Sequence, residues 1–337
     1  YDAVDASGKL IDIPKKVREM ESVSEMAKVL DMYYYGKVLN EGRGTKNDGF
    51  YFDFHRFTDE EIDRRFDAVM EHFGGFYPHG YYHGESIINY RDYIKKHRRI
   101  EVGFGGEYSV GGIYIDENMM TGVPGLYAAG EVGCGAFGAN RVADAVVEMI
   151  VQGYKAGEVA AQRSAGEVLV EAEKASVAKA VGTLEKILSN KGGITVKQAK
   201  ERLQSISDAT LKLLRNEQTL AKGISDYEAL KEEMDNISIT AKGLLYNREL
   251  LEALQLRNLL TCSTVSAKMA LMRKESRGVH LREDYPLSYN VDWQVRLVSE
   301  QKCDNDNLST VLPVVTKIPM KKAERIDYVT YVMTEDL

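Results

Sequence analysis

Glu131 and Arg141 stand where their surroundings could give them chemistry. The apolar run Gly125 to Ala129 (GLYAA) predicts a strand, and Gly130-Glu131 follows at its carboxyl end, where open α/β sheets place ligands. Glycine lets a ligand approach the backbone, and the neighbouring carboxylate accepts hydrogen bonds from sugar-like hydroxyls. Gly133, Gly135 and Gly138 keep the next loop free of bulk, and Val142, Ala145, Val146, Met149 and Ile150 recur at helical spacing over Val142 to Tyr154. The start of such a helix presents unpaired backbone N–H groups, which stabilise a ring carbonyl or a phosphate without a charged side chain. Arg141, directly before it, offers a planar fork that matches a carboxylate and keeps its charge. The bland alternative is an ion pair with Asp144 or Glu148.

Other charged clusters carry less chemistry. Arg277, His280, Arg282 and Asp284 in ESRGVHLREDYP invite a catalytic reading but suit a structural junction. His72, His79 and His83 are close in sequence, yet Pro78, Gly80 and Gly84 oppose the helix that would bring two imidazoles to one metal. Cys134, Cys262 and Cys303 lie far apart without CxxC spacing, so they supply neither a zinc site nor an iron–sulfur cluster. An odd count without a disulfide framework suits a reducing, cytoplasmic compartment.

The elements that must position these residues follow from periodicity. An amphipathic stretch from Val17 to Leu39 precedes a turn-rich Gly42 to Gly49, a strand at Phe50 to Phe54, and a helix from Thr58, which with Glu61 forms a capping box. Lys95 to Arg99 reads as a solvated helix end or a partner contact. Helical spacing then covers Val168 to Leu188, Val196 to Leu220, Asp226 to Glu233 and Ile237 to Lys274, punctuated by Gly192-Gly193 and Gly223. This part predicts a helical bundle, a packing scaffold or a redox-partner interface. Alternation at Trp293 to Val298 and Ile326 to Val332 predicts short strands.

A chain of 337 residues with 44% hydrophobic and 28% charged residues is globular and long enough for two domains or more. A net charge of −7 argues against nucleic-acid binding, which needs a concentrated basic surface. No apolar run approaches the roughly 20 residues that cross a bilayer.

The ordered pattern GGIYID, then TGVPGLYAAGE, then GANR and an apolar helix with a glutamate resembles the flavin domain of the fumarate reductase and succinate dehydrogenase flavoprotein family. EGRGTKNDGFYFDF at Glu41 to Phe54 and ESRGVHLREDYP at Glu275 to Pro286 fit the family in the same order. The resemblance implies an α/β plus α fold: a partial FAD-binding, Rossmann-like domain (107–164), a capping-domain portion on the substrate side (1–106), a helical bundle domain (165–276) and a small β-containing C-terminal segment (277–337). It also implies a chain roughly twice as long, opening with a strand, a GxGxxG turn and a helix that hold the FAD pyrophosphate. This sequence opens at Tyr1-Asp2-Ala3 in a polar segment, so FAD is expected to be shared with an N-terminal half that lies on another polypeptide or outside this sequence. A shortened paralogue without FAD is the alternative.

The resemblance further implies site residues. Gly130, Glu131, Asn140 and the backbone at Ala143, Asp144, Ala145 and Val146 would contact the cofactor, with Glu131 on ribityl or ribose hydroxyls. Arg141 would grip a substrate carboxylate. Glu107 falls where fumarate reductases carry a histidine, and a carboxylate there repels a dicarboxylate. Lys28 is the one basic residue where the family's proton-donating arginine should fall, and Arg43 matches an arginine of a glycine-rich turn, as a catalytic group or as the turn's pin. The expected function is that of a FAD-dependent oxidoreductase subunit working between a small carboxylate or activated acid, fumarate and succinate disfavoured, and iron–sulfur or flavin electron-transfer subunits, peripheral to a membrane complex. The alternative is a non-catalytic electron-transfer or assembly flavoprotein module.

Overall fold

The structure, a computed structural model, describes residues 1–15, 17, 27–72, 81–83, 86–106, 109–134, 145–168, 170–293, 295–300 and 314–319. The chain divides into two compact units, residues 1–107 and 108–337.

In chain order the first unit forms β1 (Asp2–Val4), α1 (Ala27–Asn40), β2 (Phe50–Asp53), α2 (Asp59–His72), β3 (Tyr81–His83), β4 (Ser86–Ile88), α3 (Tyr90–His97) and β5 (Arg99–Val102). β2 is the centre of an antiparallel sheet ordered β1-β2-β5, with Phe52 opposite Ala3 on one side and Ile100 on the other. Phe50 turns inward and stacks on Tyr35 of α1 with ring centroids 4.3 Å apart. The helix from Thr58 forms as its capping box predicts: the Glu61 N–H donates to Thr58 Oγ1, and the Thr58 N–H donates to Glu61 Oε2. Three of the basic residues after Ile94 are paired within this unit: Lys95 with Asp63 at 2.8 Å, Arg98 with Asp59, and Arg99 with Asp53 at 2.6 Å. The predicted stretch Val17 to Leu39 is described as helix α1 from Ala27 onward, and its residues 18–26 lie outside the described residues.

The second unit holds a 3-10 turn at Gly130–Val132, then α4 (Ala145–Ser164), α5 (Lys174–Ser189), α6 (Val196–Thr210), β6 (Leu214–Arg215), α7 (Glu217–Met234), α8 (Arg248–Met272), β7 (Leu281–Arg282), α9 (Asn290–Trp293), β8 (Val295–Glu300) and β9 (Val314–Pro319). The bundle core gathers Val196, Ala199 and Leu203 of α6, Tyr227, Leu230 and Met234 of α7, and Leu250, Ala253, Leu256 and Leu260 of α8, all at helical spacing. Ile187 brings the last turns of α5 onto it.

Several boundaries differ from the sequence expectation, each for a local reason. The run Val196 to Leu220 is two helices, because Leu214-Arg215 leaves the helix to pair in parallel with Leu281-Arg282, and Asn216 then caps α7 through a reciprocal bond with Thr219. Gly223 does not break a helix but lies inside α7: a Cβ there would stand 1.9 Å from Thr210 Oγ1, so glycine admits the close approach of α6. The helix expected from Ile237 begins at Arg248, because Ile237 and Ile239 are buried as alternate residues of an extended segment and Asn247 accepts the Leu250 N–H as a cap. Val168 and Val170 stay exposed ahead of α5, which starts at Lys174. Trp293 closes the short helix α9, β8 begins at Val295, and β8 pairs antiparallel with β9, a strand the sequence pattern did not suggest. The strand expected at Ile326 to Val332 lies outside the described residues.

Candidate functional site

The site is built on the short turn at Gly130–Val132. The expected strand at Gly125 to Ala129 is a bent segment: Gly125 takes φ +82°, and Tyr127 forms a single antiparallel bridge with Met120. A strand needs a neighbour to complete its hydrogen bonds, and among the described residues only isolated bridges reach this stretch. The loop before it is fastened instead by side chains, with Asp116 Oδ1 accepting the Asn118 and Met120 N–H groups and Thr121 Oγ1 accepting that of Val123. Beyond the turn, Cys134 donates its N–H to Ile113 O at 2.8 Å, and Ile113 donates to Val132 O at 2.8 Å.

Gly130 adopts φ +74°, a conformation that L side chains avoid, and a Cβ on it would meet Met149 Cγ at 3.1 Å. Its carbonyl accepts the Gly133 N–H at 3.0 Å, and its own N–H donates to Gln152 Oε1 of α4 at 2.7 Å. Gln152 Nε2 in turn donates to Glu148 Oε1 at 3.1 Å. Glu131 is exposed; one carboxylate oxygen accepts the Ser109 N–H at 2.7 Å, and the other has no hydrogen bond within the described residues. An exposed carboxylate beside a glycine that adds no bulk can accept further hydrogen bonds from hydroxyl groups.

Helix α4 is inverted relative to a surface helix. Glu148 and Gln152 are buried against the turn, whereas Val146, Val147, Ile150, Val151 and Tyr154 are 61–77% exposed. These five share one face of the helix, and such an apolar stripe ordinarily packs on a core.

The expected site residues are distributed as follows. Gly130 and Glu131 form the turn, Ala145 is the first residue of α4, and Val146 belongs to the exposed stripe. Asn140, Arg141, Ala143, Asp144 and Glu107 lie outside the described residues, as does the side chain of Lys28, whose backbone is in α1. Arg43 is engaged: Nη1 donates to Oδ2 of the buried Asp5 at 2.8 Å, and Nε to Glu41 at 2.9 Å. Burial pushes the Asp5 carboxyl up, but hydrogen bonds from Ser7 and Lys9 and the Arg43 charge hold it below the usual carboxylate range. Arg43 thereby pins its own turn. Sequence reasoning missed Ser109 and Gln152. The i, i+4 spacing of Glu148 and Gln152 in the otherwise apolar first turns of the helix was the one signal for the latter.

The ESRGVHLREDYP residues form a buried ionic junction. Arg282 is fully buried and donates to Ala270 O, Leu271 O and Arg273 O at the end of α8, and with two nitrogens to Asp284 at 2.8 and 2.7 Å. Glu275, also fully buried, accepts from Arg273, Arg277 and the Tyr289 N–H. Burial, then the neighbouring Arg215 charge, push the His280 imidazole down to about 3, and burial with Arg282 lowers Arg215 to about 10. These groups are consumed by one another. Among the described residues no cluster could hold a metal ion, and no helix is long and apolar enough to cross a membrane.

The described residues thus combine a carboxylate-bearing glycine turn seated on a helix with a helical bundle that follows it. A family model described as an FAD binding domain matches residues 23–146, and one described as the C-terminal part of fumarate reductase flavoproteins matches residues 200–326. The chain belongs to the fumarate reductase and succinate dehydrogenase flavoprotein family, and its cofactor is FAD. One subunit of the fumarate reductase (CoM/CoB) of Methanothermobacter marburgensis is 28% identical over 277 residues, which are 80% of this chain and 46% of that protein. The fumarate reductase flavoprotein subunit of Haemophilus influenzae is 31% identical over 182 residues, 53% of this chain and 30% of that one. A solved E. coli quinol fumarate reductase shares the fold with a TM-score of 0.68 at 21% identity, covering 96% of this chain and 55% of its own. The chain spans about half the length of the first curated relatives it matches.

Proposed function

We propose that this chain is the substrate-side, flavin-side and helical part of a FAD-dependent oxidoreductase that works between a small carboxylate or activated acid and redox partner subunits carrying iron–sulfur or flavin centres. The observation that carries this reading is the pairing of an outward Glu131, on a turn held by α4, with an α4 whose apolar stripe is exposed. A stripe of that size is explained by the remaining strands of the flavin domain, contributed by an N-terminal half that shares the cofactor. Bound FAD would supply hydride and electron acceptance, and the protein would supply position and electrostatics.

Each residue then has a role. Glu131 would hold flavin hydroxyls from the turn, with Gly130 admitting the close approach, and Asn140 would be a further cofactor contact. The backbone of Ala143, Asp144, Ala145 and Val146, the last two at the start of α4, would stabilise negative charge on the reduced ring. Arg141 would grip the substrate carboxylate as a bidentate fork. Lys28 would deliver a proton. Glu107, where fumarate reductases carry a histidine, disfavours a dicarboxylate and so disfavours fumarate and succinate as substrates.

The test is made on the assembled, FAD-loaded complex. Arg141→Ala should lower turnover by a hundredfold or more, about 3 kcal/mol of transition-state binding, while FAD stays bound. A loss below about tenfold sinks the substrate assignment and favours an electron-transfer module without organic substrate. Flavin absorbance that bleaches with succinate and recovers with fumarate would overturn the role given to Glu107.

A further inference from the structure

The family motif ends before Gln152, yet this side chain is the one that fastens the cofactor turn to its helix. We infer that Gln152, oriented by Glu148, is a positioning residue that sets the Glu131 carboxylate for FAD, an inference that rests on the flavin reading above.

The geometry leaves the Gln152 amide a single orientation. The Gly130 N–H can only donate, so the amide oxygen must face it at 2.7 Å; the amide nitrogen is then turned to Glu148 Oε1 at 3.1 Å. Glu148 and Gln152 are each only 7% exposed, so neither bond is shared with bulk water. A chain of carboxylate, amide and peptide N–H in a buried setting is mutually polarising. It fixes the peptide that leads into Glu131, at the residue whose φ of +74° already places the turn out of the ordinary range. Ser109 fixes the other end by donating its N–H to the Glu131 carboxylate at 2.7 Å. The carboxylate is therefore held from its backbone and from its tip, and the oxygen without a partner among the described residues has a set direction before any ligand arrives. Met149 completes the seat by lying against Gly130. An apolar residue at position 152 would leave the Gly130 N–H buried without an acceptor, and the turn would relax to find water.

The charged side chains of α4 are Glu148 itself and, further along, Lys155 and Glu158, which pair with each other, and Arg163, which pairs with Glu167. Among the described elements the turn packs on this part of α4, and its titratable group is Glu131. A second carboxylate set at position 152 therefore has a readable pH signature, and an exchange of the two side chains removes it.

The experiment uses the FAD-loaded flavoprotein and three variants, with FAD affinity read by flavin fluorescence, reduction potential read by equilibrium titration, and thermal midpoint followed in parallel. Gln152→Leu should weaken FAD by about ten- to a hundredfold and shift the potential. Gln152→Glu keeps the acceptor for Gly130 but sets a second carboxylate against Glu148. FAD should be retained under mildly acidic conditions, where the pair shares a proton, and lost as the pH rises. The double variant Glu148→Gln with Gln152→Glu restores donor and acceptor in exchanged places and should retain FAD at every pH. Wild-type affinity and potential in Gln152→Leu, or a pH-independent Gln152→Glu, or a double variant no better than the single one, would each overturn the assignment. If Gln152→Leu does not fold, the pH profile and the exchange decide it. Failure of the unaltered protein to bind FAD is a different result, which removes the flavin reading itself.

Discussion

Lowering the pH should weaken this fold through one buried imidazole, His280. Burial and the adjoining Arg215 charge hold it down to about 3, while the unfolded chain titrates at the ordinary 6.5. The depressed value means that the stabilising difference is complete above 6.5 and is lost as the pH falls from there through the folded value. Near pH 5 the unfolded imidazole carries a proton and the folded one does not, over a gap of about one and a half pH units. At about 1.4 kcal/mol per unit, His280 alone removes about 2 kcal/mol between roughly pH 7.5 and pH 5. The lowered carboxyls Asp5, Asp53 and Asp284 act in the same direction but only below the ordinary aspartate range, so they do not obscure this window. Urea unfolding at the two pH values measures the loss. His280→Gln, which keeps polar atoms where Arg215 and the Arg273 carbonyl face the ring, should show a loss smaller by about that 2 kcal/mol, whatever its absolute stability. An equal loss in the variant, or an imidazole resonance that titrates near 6, refutes the reasoning.

Arg282→Met should cost about 3–5 kcal/mol in urea unfolding, because three carbonyls at the end of α8 and the Asp284 carboxylate lose their donor together. Arg282→Lys should not restore it, since an ammonium cannot serve a bidentate carboxylate and several carbonyls at once; recovery with lysine would show that charge alone matters. Gly223→Ala should cost about 1–3 kcal/mol, as its Cβ would sit 1.9 Å from Thr210 Oγ1. Adding Thr210→Ala should return part of that loss, and strict additivity of the two changes would place the strain elsewhere.

The helices were legible where spacing and caps agreed. Thr58 with Glu61 marked the start of α2, and the apolar repeat after Arg141 marked α4. The breaks were not legible where a distant partner supplied the reason. Leu214-Arg215 leaves the helical path because Leu281-Arg282, far along the chain, offers it a strand, and Gly223 reads as punctuation until Thr210 is seen pressed against it. Part of the expected site also rests on residues outside the described ones, Arg141 and Glu107 among them, so their roles stand on motif and chemistry.

Local order in the chain determined the family, the FAD requirement and the Gly130-Glu131 turn, because glycine spacing and the acid that follows it are covalent neighbours that need no folding to be recognised. Tertiary structure alone decided that Gln152 and Ser109 hold that turn, that Arg43 is tied to Asp5, and that α4 buries its polar side while its apolar side stays open. Those facts depend on which residues meet across space, and hydrogen bonds and burial act over ångströms whatever the separation along the chain.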